Sequence, residues 1–137
     1  MVKILHDFWI ITKNGLVLFN RVYDPKIETQ LFGALLSAIN TFAEEVSEGS
    51  LSHFQLSNKQ FVLLKKNDIL FIGNSHNKVK KEKIIDELEV ISEKFFEDYF
   101  HIIVNQKWNG NIALFSDFKK KIEDAFEDPI KKFWKGF

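Results

Sequence analysis

No cysteine occurs among the 137 residues, which excludes disulfide scaffolds, thiolate zinc sites and cysteine nucleophiles outright. Neither charge dominates. Nineteen basic and nineteen acidic residues cancel, which argues against nucleic acid as a partner, since such a domain normally carries a strong basic excess. No stretch approaches the roughly 18–20 apolar residues of a membrane-spanning helix. The apolar run at the N-terminus is broken by His6 and Asp7 and has no small-residue cleavage site behind it, so it does not read as a signal peptide. Neither a GxSxG elbow nor a phosphate-cradling glycine-rich loop is found, and nucleotide hydrolysis is not expected. His6, His53, His76 and His101 show no HxH or HxxxH spacing, so surface or turn positions are expected for them, with no metal and no cofactor. Repeats, linkers and low-complexity segments are lacking too. What remains is the expectation of one soluble, cytoplasmic domain spanning residues 1–137.

Aromatics are abundant, with fifteen Phe and three Trp, so aromatic burial should dominate the core. The organising stretch is FWIITKNGLVLFNRVY, residues 8–23, in which Asn14-Gly15 separates two apolar runs. That is the signature of a hairpin with a type I′ turn, both of whose central residues need φ > 0. The first strand is expected over about residues 2–12, with Ile4, Phe8 and Ile10 on one face and Leu5, Trp9 and Ile11 on the other. Apolar residues on both faces place it inside its sheet. A second strand follows over residues 16–23.

Asp24-Pro25 reads as the start of a helix over about residues 25–47, and Gly49 as its C-terminal cap. Ile27, Leu31, Ala34, Leu35, Ala38, Ile39, Phe42 and Val46 form a stripe at helical spacing, which predicts its buried face. A three-strand meander should follow over about residues 51–57, 60–65 and 69–72. In its first strand Phe54 and Leu56 point inward while His53, Gln55 and Ser57 point outward, the one-sided pattern of an edge. Residues 73–77, GNSHN, read as a turn. A long helix over about residues 80–104 presents Ile84, Leu88, Ile91, Phe95, Tyr99 and Ile102. A last helix over about residues 116–127, N-capped by Ser116, packs through Phe118, Ile122, Ala125 and Phe126. Asp128-Pro129 stops it, ahead of a basic-aromatic tail over residues 130–137. The order β-β-α-β-β-β-α-α predicts an α+β fold, a five-stranded antiparallel sheet with helices on both faces.

This order, with its Asn-Gly hairpin and early long helix, resembles the longin (SNARE-like) domain family over essentially the whole chain. Residues 8–18, FWIITKNGLVL, look like the aromatic–turn–apolar opening of the SRX-type longin domain of the signal recognition particle receptor alpha subunit. Asn109-Gly110 leading to Phe115, Asp117 and Phe118 is similar to that domain's approach to its last helix. Adaptin small subunits and sedlin-type trafficking proteins are similar in order. Roadblock domains share related sheet architecture but begin with a helix, whereas this chain begins in a strand. The resemblance implies a profilin-like architecture and no enzymatic activity. It implies partners among Ras-like small GTPases, SNARE segments, or sister longin or roadblock-type domains at membrane surfaces, with homodimers among the assemblies. An SRX-type protein continues into a linker and GTPase domain; the end at Phe137 points instead to a free-standing longin protein. The composition, rich in Lys, Ile, Asn and Phe, fits an AT-rich genome, an archaeal one among them.

Three features are candidates for contact. The edge strand, with His53, Gln55 and Ser57, could accept a partner strand or its own copy, or be covered by a loop or by its polar side chains. The basic run at the start of the second long helix, with Lys80 and Lys81, could meet anionic lipid or phosphate or could be a solvated helix entrance. Phe133 and Trp134 in the tail either anchor at a membrane interface or pack back onto the domain. Asp7, on a two-faced strand with no nucleophile motif beside it, could act as a buried base, or reach the sheet margin or pair with a neighbouring Lys or Arg. The alternative to an interaction module is a small-molecule sensor or enzyme with a pocket between sheet and helix, lined by the aromatics.

Overall fold

The computed structural model describes residues 5–22, 29–46, 52–56, 58–104, 110 and 112–123. Asp24-Pro25, Gly49, Ser57, Asn109, Asn111, Ala125, Phe126, Asp128-Pro129 and the tail lie outside them. The strands are β1 (Asp7–Thr12), β2 (Val17–Arg21), β3 (His53–Leu56), β4 (Lys59–Lys66) and β5 (Ile69–His76). Among the described residues the helices are α1 (Thr29–Val46), α2 (Lys81–Val104) and α3 (Phe118–Glu123), with a 3₁₀ turn at Ile112–Phe115 between α2 and α3. All pairings are antiparallel, in the spatial order β2-β1-β5-β4-β3. This is the α+β architecture expected from the sequence.

Alternation along each strand divides the core into two layers. Phe8, Ile10, Val62 and Phe71 meet Ile84, Leu88, Ile91 and Phe95 of α2, together with Phe115, Phe118 and Ile122. Trp9, Ile11, Phe61, Leu63 and Ile72 meet Leu36 and Phe32 of α1 on the other side. Helices therefore cover both faces. β1 is interior, as its two apolar faces require, and β3 is an edge.

Four local expectations are corrected. Leu5 belongs with Phe8 and Ile10 and not with Trp9, because it precedes the first residue of β1 and escapes the pleat's alternation. The hairpin turn is not type I′. Gly15 has φ +93° but Asn14 is not left-handed; Gly15 N donates to Thr12 O at 2.9 Å and Thr12 N to Leu16 O at 2.8 Å. That is a three-residue loop ending in a left-handed glycine. The two-residue turn with both φ positive lies at Asn67 (51°) and Asp68 (63°), between β4 and β5. Gly73, Asn74 and Ser75 are not a turn but the buried second half of β5. The Asn74 side chain there accepts from Asp7 N at 2.9 Å and donates to the Asp7 carboxylate at 3.0 Å. Finally, α3 starts at Phe118, two residues after Ser116, so the position next to its first residue is Asp117, whose carbonyl accepts from Lys120 N at 3.2 Å.

Tyr99, beneath α3, links packing to pH. Burial, followed by the charges of Asp98 and Asp117, raises its phenol above the ordinary tyrosine range. The folded state keeps this proton where the unfolded chain has lost it. The contribution is thus complete below about pH 10 and is lost as pH rises through the folded value. Tyr99→Phe is expected to flatten the alkaline fall of the denaturant midpoint; an unchanged fall would assign that loss to other groups.

Candidate functional site

The seating of α1 on the sheet differs from the one its periodicity predicts. Four residues of its expected buried stripe are on the wrong side, and Ile27, Leu31, Phe42 and Val46 lie outside the described side chains. Ala34, Leu35, Ala38 and Ile39 are exposed, Leu35 by 54% and Ile39 by 37%. The side facing the sheet is instead Gly33, Leu36, Ser37 and Asn40, with Phe32 half-buried. Close approach explains the choice. A Cβ on Gly33 would stand 2.6 Å from both Gly15 O and a Val17 methyl, so only glycine lets α1 sit this low on the hairpin. Polar groups complete the seat. Ser37 Oγ donates to Lys13 O at 2.6 Å, and the Gln30 amide accepts from Val17 N at 2.9 Å and donates to Val17 O at 3.2 Å. Near the far end of the helix, Lys65 bonds Glu44 at 3.0 Å, and this hydrogen bond, more than the charge alone, lowers the Glu44 carboxyl below its ordinary value.

The two sheet edges differ. On β2 the Gln30 amide occupies both backbone groups of Val17, and the 3₁₀ turn packs beside the strand. That edge is blunted. β3 pairs only with β4 among the described residues. Phe54, half-buried, stacks on Phe61 with centroids 4.8 Å apart and planes within 2°, on the side of the sheet that carries α1.

Of the residues singled out from sequence, Gln55 is exposed on β3 as expected. His53 is only half-exposed, and its Nε2 lies 3.1 Å from Gln60 Oε1. Gln60, 3% exposed, donates to His76 O at 3.0 Å and Val79 O at 2.5 Å. One buried amide therefore connects β3 to the turn that leads into Lys80 and Lys81, both exposed at the start of α2. Ser57, Phe133 and Trp134 lie outside the described residues. Asp7 is 7% exposed and holds Asn74 reciprocally, a structural arrangement at the end of the sheet. No group of three or more His, Asp or Glu side chains placed to hold a metal occurs among the described residues. No described helix is long and apolar enough to cross a membrane.

Sequence reasoning missed the outward face of α1 altogether. The signal was present in Gly33, Ser37 and Asn40, small and polar residues that recur at helical spacing opposite the apolar stripe.

With this geometry in place, comparison with known proteins is informative. Residues 6–96 match the family described as the first longin domain of FUZ, MON1 and HPS1. The chain belongs to the longin family. Solved structures share the longin fold at low identity. MglB of Myxococcus xanthus is 14% identical over 68% of this chain and 84% of its own, with a TM-score of 0.53. A roadblock/LC7 domain from Streptomyces avermitilis is 11% identical over 71% and 86%, with a TM-score of 0.55. A chain of the mammalian SRP receptor is 16% identical over 90% and 96%, with a TM-score of 0.51. No curated protein matches the sequence. The longin assignment made from element order is thus upheld.

Proposed function

We propose that this longin domain is a non-enzymatic interaction module, a scaffold or regulator for a Ras-like small GTPase or membrane-trafficking partner. The observation that carries this reading is the inverted amphipathicity of α1, whose apolar residues Ala34, Leu35, Ala38 and Ile39 face away from its own sheet. A helix that seats Phe32 and Leu36 among small and polar residues and still presents a second apolar stripe to solvent is unfinished as a monomer surface. The occupant that fits is a second longin-type domain, the chain's own copy included. Ala34 and Ala38 permit close helix-on-helix approach between Leu35 and Ile39, and a two-fold pairing brings the same stripe to both partners. Among the described residues β3 pairs only with β4, so its outer edge is a second place where backbone groups can extend the sheet. The assembled pair then displays the surface that a GTPase reads. Membership in the longin family and the absence of any nucleophile or phosphate-loop motif support recognition as the mechanism.

The test is a titration of the full chain against the small GTPases of its host in both nucleotide states. Saturable binding that is specific for one GTPase is the expected result. Binding to none, together with a copurified metabolite, would favour the pocket reading set out from the sequence.

A further inference from the structure

We infer that the tip of the domain where β5 turns into α2 is an electrostatic contact site for an anionic lipid bilayer. The turn and first helical positions carry Lys78, Lys80, Lys81 and Lys83, all exposed, against the single acid Glu82. The whole chain balances at nineteen charges of each sign, so outside this stretch acids outnumber bases. Three described lysines elsewhere are paired. Lys65 holds Glu44, Lys66 holds Glu89, and Lys121 holds Glu97 and Asp98. Among the described residues, none of the four tip lysines lies within ion-pair distance of a carboxylate.

Helix stability does not account for this placement. A helix N-terminus carries partial positive charge and favours acids, so cations there cost stability. Lys80, immediately before the first residue of α2, accepts from Lys83 N at 3.0 Å through its carbonyl but has no side-chain oxygen to cap the free N–H groups. The tip is also held firmly. Gln60 fixes the carbonyls of His76 and Val79, His53 fixes Gln60, and Asn77 N donates to Asn58 O at 3.1 Å, which ties this turn to the one before β4. Lys59, in register with His76, adds a further cation at that end of the sheet.

The chemistry of the patch selects its occupant. Lysine is a compact, strongly hydrated point charge on a flexible stem, which suits a diffuse anionic surface. These lysines are exposed at a turn and a helix start, and extended or helical peptides are captured by sheet edges and grooves instead. A plane of anionic headgroups demands only summed charge, worth about a fivefold gain in affinity for each lysine brought near it. The inference deepens the interaction-module reading by saying where the module works, and its assay needs no protein partner, so either can fail without the other.

The experiment measures binding of the full chain to phosphatidylcholine vesicles with and without phosphatidylserine. The tip variant replaces Lys78, Lys80, Lys81 and Lys83 by Gln, and a charge-matched control replaces Lys13, Lys94, Lys119 and Lys120 by Gln. The chain is expected to bind only the anionic vesicles, less at high salt. The tip variant should lose about 10²-fold or more in affinity while the control stays within a few-fold. Removing cations from the start of α2 should leave the melting temperature unchanged or higher, so lost binding cannot be read as unfolding. Equal losses in the two variants, or no preference for phosphatidylserine, would overturn the site. So would tip-dependent binding of polyglutamate by a chain that ignores the vesicles, since that would assign the tip to an acidic polypeptide.

Discussion

Replacing Phe95 by alanine is expected to lower the free energy of unfolding by about 3–5 kcal/mol, the cost of emptying an aromatic site in a core that cannot fully close around it. Phe95 has no exposed surface, and its ring lies 5.1–5.7 Å from those of Tyr99, Phe118, Phe96, Phe115 and Phe71. Those partners sit on β5, on α2 itself, on the 3₁₀ turn and on α3. One truncation therefore loosens four segments at once, and neighbours held in separate elements cannot all move inward to fill the space. Against a total stability of roughly 5–15 kcal/mol, such a loss would bring the domain close to its unfolding threshold. Val90→Ala on the same helix is the control: Val90 is 42% exposed, and its truncation should change stability by less than about 0.5 kcal/mol. Urea unfolding of both variants, followed by far-UV circular dichroism, measures the difference. A loss below about 1 kcal/mol for Phe95→Ala would mean that the 3₁₀ turn and α3 do not close over α2 as described.

That aromatic core was readable in advance because it depends on local repetition. Phe8, Trp9, Ile10 and Ile11 announce an interior strand whichever way the pleat turns, and Ile84, Leu88, Ile91, Phe95 and Tyr99 announce a helix with one buried side. The failures have a different origin. Gly73, Asn74 and Ser75 look like a turn until Asp7, 67 residues away from Asn74, supplies the side-chain partner, and until Leu5 and Leu88 close over the missing Cβ of Gly73. The turn at Gly15 was misjudged for the same reason, since the nearness of Gly33 and Ser37 on α1 shapes a loop whose own dipeptide favours another form. The edge position of β3 was legible in its one-sided pattern, whereas the Gln60 amide that fixes His53 and the basic turn was not, because glutamine carries no sequence signal for burial.

Leu35→Glu and Ile39→Glu are each expected to weaken association with a second longin-type domain by about 10²-fold while leaving the monomer's stability within about 0.5 kcal/mol of the parent. The reasoning turns on what helical periodicity can establish. It identifies the apolar side of a helix but not the body that side meets. In α1 the two have come apart, since Leu36 is 1% exposed against the sheet while Leu35, its neighbour in sequence, is 54% exposed. A glutamate at Leu35 or Ile39 stays hydrated in the free domain and costs it little. In an assembled pair it removes an apolar contact worth about 1.5–3 kcal/mol and introduces a charge that must be desolvated. Leu36→Glu supplies the opposite pattern, with a carboxylate forced beneath the helix beside Trp9 and Leu63 and a fold that should no longer melt cooperatively. Sedimentation velocity of the chain alone and titration calorimetry with a longin-type partner, each beside thermal unfolding, separate the two cases. If Leu35→Glu unfolds the domain as Leu36→Glu does, the stripe is core and α1 sits turned by roughly half a revolution. If neither stability nor association responds, the outward face of α1 is not where partners bind.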